Sequence, residues 1–245
     1  MIRDKAVTKS SAFLGKLLSE VRPIAKASLE GNERKILEAR MGRHLFGLKD
    51  QEDQTPLKPL PHRQQFMVRI FYDYNEISTA TNRLRQSEEF VMKLAKSSSV
   101  NAESISYHVE KYLEENYILK ERLLAFLRRI AKLLKQKGMH ELLVKVHDLE
   151  VSVEKSFSGI VRTRGSHIHV ERFSDDELKR LATLDLLVIH GRMNELEQYR
   201  RLIIRKVVKK WSETIKTNNK SIQQLLDFIL EFLDPVIFEK LPPPT

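Results

Sequence analysis

The sequence contains no cysteine among its 245 residues. This absence excludes disulfides, thiolate nucleophiles, cysteine-ligated zinc and iron–sulfur clusters together. It fits a reducing compartment, and we expect a cytoplasmic location. The N-terminal stretch has no apolar core long enough for a signal peptide, and no apolar run approaches the roughly 18 residues of a membrane span. We therefore expect no membrane partner.

Glycine and proline are both scarce, with eight of each in the chain. Strand-rich folds need such turn residues every few positions, so their scarcity disfavours a β-sandwich or a barrel. Proline is the strongest helix breaker, and none lies between His62 and Asp234. These absences predict an all-α fold.

Apolar residues recur at helical spacing along most of the chain, which predicts an antiparallel bundle of long amphipathic helices. We expect residues 1–50 to form an N-terminal helical extension, with Pro23 kinking or splitting its first helix. Segment 51–63 contains three prolines and few apolar residues, which is typical of a linker. Residues 64–240 are expected to form the bundle.

Local signals predict where the helices begin and end. Asn101 is expected to cap the start of one helix, and Gly138 to stop it. Ser174 and Glu177 match a capping box, and the sequence leaves open whether Gly191 interrupts the helix that follows. The helix over 102–137 has two apolar stripes, so it should pack against at least two neighbours. The predicted helices are 10–29, 33–48, 64–96, 102–137, 139–162, 174–215 and 219–233, the last ending before Pro235.

Segment 162–169 reads Arg-Thr-Arg-Gly-Ser-His-Ile-His. It holds Arg-x4-His twice, as Arg162 with His167 and as Arg164 with His169, where one predicted helix stops and another begins. Arginine is a permanently charged, bidentate phosphate ligand, and histidine exchanges a proton near neutral pH. An arginine on a scissile phosphate and a histidine near the ribose 2′-OH form a minimal apparatus for metal-independent RNA cleavage.

A basic all-α bundle with this motif at a helix junction resembles the HEPN superfamily, over roughly residues 100–215. Many members are ribonucleases of toxin–antitoxin, abortive-infection or CRISPR-associated systems, and others are non-catalytic. The resemblance implies a metal-independent endoribonuclease of prokaryotic defence or toxin type. It also implies a homodimer in which both Arg/His pairs meet, and an antitoxin-like protein partner. We expect no cofactor.

The motif departs from the family pattern at one position. A polar residue, often asparagine, follows the arginine in many members. In this chain Thr163 follows Arg162 and Gly165 follows Arg164, so the second pair departs further from the pattern. An acidic residue on a preceding helix often accompanies the motif. Glu110, Glu114 and Glu121 lie near one face of the 102–137 helix, and the sequence does not choose among them.

Two other interpretations of the motif stay open. The segment 162–173 fits a solvated basic loop whose histidines bond to carbonyls at helix ends. If His167 and His169 were in extended backbone, both imidazoles would lie on one side and could bind one metal, with Asp185 or His190 as the third ligand. His140 and His147 are expected to be surface or packing residues.

The net charge is +10 at pH 7, which favours anionic partners such as RNA. Residues 120–137 hold seven basic residues and one acidic residue, and residues 200–210 hold six basic residues and no acidic one. Together these faces could follow a nucleic-acid backbone. The alternative function is thus a non-catalytic helical module that binds nucleic acid or a protein. The candidate binding residues are Arg128, Arg129, Lys132, Lys135, Arg201, Arg205 and Lys209.

Overall fold

A computed structural model describes residues 9–28, 60–94, 100–169 and 176–241 of the chain. Within these ranges it contains α-helices and short helical turns and no strand, which confirms the predicted all-α fold. The helices are α1 (Lys9–Ser28), α2 (His62–Leu94), α3 (Ala102–Gln136), α4 (His140–His169), α5 (Asp176–Asp185) and α6 (Glu197–Pro235).

Both ends of α3 form as its local signals predict. The Asn101 side chain accepts a hydrogen bond from the Ser104 backbone N–H at 2.8 Å, and the Ser104 hydroxyl accepts from the Asn101 N–H at 3.2 Å. This reciprocal pair satisfies two of the backbone donors that a helix start leaves unpaired. Gly138 has φ +68°, the left-handed conformation that glycine adopts most readily at a helix end.

Three predicted helix boundaries are wrong. Helix α4 continues to His169 rather than ending near residue 162, because apolar periodicity reports burial and no proline interrupts the turns that follow. A break is predicted between the helices 174–215 and 219–233, but α6 runs unbroken through residues 215–219 to Pro235. A helical turn, Val236–Lys240, then extends beyond Pro235. Pro23 lies inside α1 without splitting it.

The interruption left open at Gly191 is present. After α5, the turn Leu186–His190 is π-helical, and the Gly191 N–H donates to the Leu186 carbonyl at 2.9 Å. A Cβ atom at Gly191 would lie 2.6 Å from the Leu187 carbonyl oxygen, so the turn closes only around glycine. Arg192 then takes φ +55°, and a short 3₁₀ turn, Asn194–Leu196, leads into α6.

The chain divides into two compact units, Met1–Tyr74 with Ile229–Thr245, and Asn75–Phe228. In the first unit, the buried Phe13 ring packs 5.5 Å from the Tyr74 ring and 5.4 Å from the Phe238 ring. The Tyr74 hydroxyl donates to the Ser10 carbonyl at 2.8 Å. The Lys9 ammonium pairs with Glu231 at 2.7 Å. This unit therefore joins α1 to residues near the end of the chain.

Helix α3 is the central element of the second unit. It packs against α4 and α5, and Arg83 and Glu76 of α2 pair with Glu115 and Arg122 of α3 at 3.2 and 2.7 Å. More than two neighbours thus cover it, as its two apolar stripes predict. Its buried residues are Ala102, Ile105, Val109, Tyr112, Leu113, Asn116, Leu119, Leu123, Leu124, Phe126, Leu127, Ile130, Ala131 and Leu134.

Polar residues interrupt the apolar core where α2, α3 and α6 meet in this unit. Asn116 is fully buried, and its amide donates to the Tyr112 carbonyl at 2.7 Å. Burial raises the pKa of Tyr112, while the side-chain amides of Asn116 and Asn218 offset part of the rise. The Asn219 amide donates to the Leu84 carbonyl and to Glu88, both at 3.2 Å. Acceptors on α2 thus bind the side-chain N–H groups of Asn219, which do not compete for the backbone of α6.

Several predictions fall outside the described residues. The helix predicted over 33–48, most of the predicted linker 51–63 and Ser174 of the capping box are among them. The division into extension, linker and bundle therefore stays a prediction. In the described ranges, no helix combines the length and the apolar character that crossing a membrane requires.

Candidate functional site

The four predicted catalytic positions lie on the last two turns of α4. Arg162, Arg164, His167 and His169 all fall within the helical range His140–His169. The motif therefore precedes the end of the helix instead of following it. The side chains of residues 160–169 lie outside the described part of the structure, so their roles stay predictions.

Helical backbone changes which motif positions share a face. Residues five apart in an α-helix are separated by about 140° around its axis, so neither Arg-x4-His pair lies on one face. Arg162 and His169 are seven apart and differ by about 20°. Arg164 and His167 are three apart and differ by about 60°. Around the helix axis, position 162 is thus nearer to 169 than to 167, and position 164 is nearer to 167 than to 169.

The register of α4 against α3 follows from one arginine. Arg128 of α3 lies 3.9 Å from both Glu150 and Glu154 of α4. The helices are antiparallel, because a turn of only three residues, centred on Gly138, separates Gln136 from His140. Counting along both helices from this contact, residues 162–169 of α4 are level with about residues 111–118 of α3.

An open groove of about 530 Å³ lies between the first turns of α3 and helix α5. Its walls combine carboxylates, an exposed aromatic ring, a lysine and small residues. The lining residues are Ala102, Glu103, Ser106, Tyr107, Glu110, Leu178, Lys179 and Ala182. A volume of this order accommodates a nucleotide-sized ligand.

The groove distinguishes the three acidic candidates. Glu110 lines it and has no ion-pair partner among the described residues. Glu114 pairs with Lys111 at 2.7 Å, which raises the pKa of the lysine, and Glu121 lies 3.4 Å from Lys120. Glu110 is therefore the carboxylate with the freest oxygens, and it directly precedes the level of residues 111–118 on α3.

A buried ion pair holds the groove's walls together. Arg200 is 6% exposed, and its Nε donates to Asp185 at 2.6 Å while Nη2 donates to the Val100 carbonyl at 2.6 Å. The second Asp185 oxygen accepts from the Ala102 N–H at 2.6 Å. One carboxylate and one guanidinium thus connect the start of α3, the end of α5 and the start of α6.

This cluster corrects two interpretations of the sequence. The sequence predicts Arg200 to belong to the basic surface of residues 200–210, but it is buried and bound internally. Asp185 was considered as a third metal ligand, yet both of its oxygens are engaged. Among the residues that the structure describes, no three His, Asp or Glu side chains are arranged to hold a metal ion.

The seven predicted binding residues occupy two separate places. Arg128, Arg129, Lys132 and Lys135 lie near the end of α3, whereas Arg201, Arg205 and Lys209 lie on α6, whose start contacts Val100. The 26 residues from Ala102 to Arg128 span about 40 Å of helix. The start of α6 is therefore far from the α3 group, and Arg205 and Lys209 lie one and two turns beyond Arg201 on α6.

Ion pairs also reduce the free charge of these surfaces. Arg201 pairs with Glu197 at 2.7 Å, and this hydrogen bond lowers the pKa of Glu197. Lys206 and Lys210 both contact Glu177, lowering the pKa of that carboxyl. Lys132, Lys135, Arg205 and Lys209 are exposed and have no acidic partner within the described ranges. Among the seven candidates, Arg128 and Arg201 pair with glutamates, whereas these four remain available to an anionic ligand.

Comparison with known proteins gives no match. No family model, no curated protein and no solved structure is similar to this chain. The chemistry of the residues and their placement in the helices therefore carry the functional argument.

Sequence reasoning missed the aromatic side of the groove. Tyr107 is 56% exposed at its edge, and Phe90 of α2 is 49% exposed beside His108. Glu103, Tyr107, Glu110 and Glu114 follow one another at steps of four, three and four, which places them on one helical stripe. That spacing was the available signal, but it did not show that the stripe borders a groove.

Proposed function

We propose that this chain is a HEPN-like endoribonuclease that cleaves RNA without a metal ion. The observation that supports the proposal is the register of α3 and α4. It makes the motif positions 162–169 level with the part of α3 that follows Glu110, at one end of an open groove. Arginine, histidine, a free carboxylate and a ligand-sized space then belong to one region of the second unit.

The proposed reaction is transesterification within the RNA strand. The ribose 2′-OH attacks the adjacent phosphorus, the bond from phosphorus to the 5′ oxygen breaks, and a 2′,3′-cyclic phosphate and a 5′-OH result. His167 or His169 takes the 2′-OH proton, and a proton is delivered to the leaving 5′ oxygen. Arg162 or Arg164 offsets the charge that develops on the phosphoryl oxygens. The helical register favours Arg162 with His169 and Arg164 with His167 when both members come from one chain.

The biological setting is part of the same proposal. A homodimer would bring the motifs of two chains together and allow an arginine of one chain to act with a histidine of the other. We propose a cytoplasmic protein of prokaryotic defence or toxin type, held in check by an antitoxin-like partner. The HEPN resemblance supports these statements.

Substitution of the nucleophile tests the reaction. A single-stranded RNA should be cleaved in EDTA, whereas the same sequence with 2′-deoxyribose should stay intact because it lacks the attacking hydroxyl. Gel electrophoresis measures the cleavage, and mass spectrometry of the products should find the cyclic phosphate. Cleavage of both substrates, or products with a 5′-phosphate, would contradict the proposed chemistry.

A non-catalytic binding module is the second candidate. The four exposed cations without acidic partners favour it, since such charges are available to phosphates. In this case, charge reversal of Arg205 and Lys209 together should weaken RNA binding and flatten its salt dependence. Reversal of Lys132 and Lys135, near the end of α3, tests whether the other surface contributes.

The two pairs of charge reversals act as controls for each other, since each removes the same number of cations. A gel-shift titration at two salt concentrations measures the effect. Equal and small effects of both double variants would remove the support for binding through these surfaces. If a charge reversal abolishes RNA binding while replacement of the motif histidines leaves RNA binding and cleavage unchanged, the binding module is favoured over the nuclease.

A further inference from the structure

An exposed aromatic cluster lies where α2 passes the first turns of α3. The Phe90 ring is stacked on the His108 ring, with centroids 5.8 Å apart and planes inclined by 20°. The Tyr107 ring meets the same histidine edge-on, at 5.4 Å and 76°. Phe90 and Tyr107 remain about half exposed, so each ring offers apolar surface to a ligand.

The inclination of the rings limits what they can bind. Because Phe90 is nearly parallel to His108 and Tyr107 is nearly perpendicular to it, the two exposed rings are steeply inclined to each other. Two bases stacked on these rings cannot be neighbours in a regular helix. Single-stranded RNA, by contrast, splays its bases outward and stacks them on aromatic side chains.

Lysines and the groove provide the other contacts that a nucleotide needs. The Lys93 ammonium lies 5.8 Å from the Phe90 centroid, and the Lys111 ammonium lies 6.0 Å from the Tyr107 centroid. Both are exposed and pair with a glutamate of their own helix, so each would exchange that carboxylate for a phosphate next to a stacked base. Tyr107 also lines the groove, which has a volume of about 530 Å³.

The carboxylates of the groove add a preference among bases. Glu103 and Glu110 line it and act only as hydrogen-bond acceptors when ionised. They repel phosphate but accept from the amino groups of guanine, adenine or cytosine. Lys179 lines the same groove, so the carboxylates select through hydrogen bonds rather than through net charge. Uracil presents only its N3–H to them, without an exocyclic amino group, and fits the groove least well.

We propose that Phe90 and Tyr107 form a stacking surface for two splayed, unpaired nucleotides of RNA, one of which places its base in the α3–α5 groove. This inference rests on the proposed function, because it names single-stranded RNA as the substrate class of the same region. It assigns Tyr107 and Phe90 to substrate binding and leaves the proton transfers to the motif on α4.

Binding of a non-cleavable RNA tests the inference. The probe is a fluorescein-labelled, single-stranded 2′-O-methyl RNA of mixed sequence, and fluorescence anisotropy with the full chain gives the Kd. Tyr107→Ala should weaken binding about 5- to 150-fold, because stacking on one aromatic ring contributes that much. Phe90→Ala should act similarly, and Tyr107→Phe, which keeps the ring, should stay within about twofold of wild type.

An aromatic residue of equal exposure elsewhere provides the matched control. Phe228 of α6 is 59% exposed, so Phe228→Ala removes a comparable apolar surface outside the cluster and should leave the Kd unchanged. Thermal melts of all variants establish that they are folded. A duplex of the same sequence should compete poorly with the single-stranded probe, and an oligouridine should bind more weakly than mixed sequence.

The outcomes separate this inference from the proposed nuclease. If wild type binds the probe and Tyr107→Ala and Phe90→Ala bind equally well, the stacking surface is wrong while the nuclease proposal is untouched. If the ring variants lose binding but wild type fails to cleave ordinary RNA, the stacking surface is supported and the catalytic proposal fails. If wild type does not bind the probe, the stacking surface is wrong whatever the cleavage assay shows.

Discussion

Replacement of Asp185 by alanine is expected to lower the free energy of unfolding by about 3–5 kcal/mol, as for other buried ion pairs that lose one partner. The substitution leaves the Arg200 guanidinium buried without its counter-charge and removes the acceptor of the Ala102 N–H. Because these contacts join α3, α5 and α6, the groove should also lose its shape. Urea unfolding followed by circular dichroism measures the loss.

Two further variants distinguish a lost charge balance from general damage. The double change Asp185→Leu with Arg200→Met removes both charges, so it should cost less than Asp185→Ala alone. Arg201→Ala removes the neighbouring, exposed arginine, whose pair with Glu197 should be worth about 0–1 kcal/mol. An Asp185→Ala protein as stable as Arg201→Ala would show that the buried pair does not hold the helices together.

The sequence predicts the local features of this fold well. Asn101 and Gly138 bound α3 as expected because capping depends on a few adjacent residues and a single backbone conformation. The end of α4 was missed for the opposite reason. The apolar periodicity fails at residues 162–169, although the backbone there is still helical.

Long-range contacts are what the sequence does not reveal. Asp185 resembled a metal ligand and Arg200 a surface cation, but their partners lie up to 100 residues away. Burial converts these two residues into a structural pair, and only the packing of three helices determines burial. Tyr107 and Glu110 share a visible helical stripe, yet the groove beside them exists only because α5 returns along α3.

Replacement of a motif histidine is expected to have the largest effect on activity. His167→Ala or His169→Ala should reduce the rate of RNA cleavage about 10²- to 10⁴-fold, the usual contribution of a positioned acid or base. Binding of the 2′-O-methyl probe should be retained, because the proton transfers follow binding. Single-turnover cleavage of a labelled RNA separates the chemical step from affinity.

A histidine of the same helix serves as the control. His140 is exposed at the start of α4, so His140→Ala should cleave RNA at the wild-type rate. Arg162→Ala and Arg164→Ala, combined with each histidine variant, then show which residues act together. If two residues act as one catalytic unit, their double variant should cleave RNA no more slowly than the slower of the two single variants.

The most direct test of the central claim is RNA cleavage by the purified chain in EDTA, with His167→Ala and His169→Ala measured beside it. The account predicts that wild type cleaves in the presence of the chelator and that at least one histidine variant loses cleavage while remaining folded. Cleavage that disappears in EDTA, or that persists equally in both variants, would contradict metal-independent catalysis by this motif.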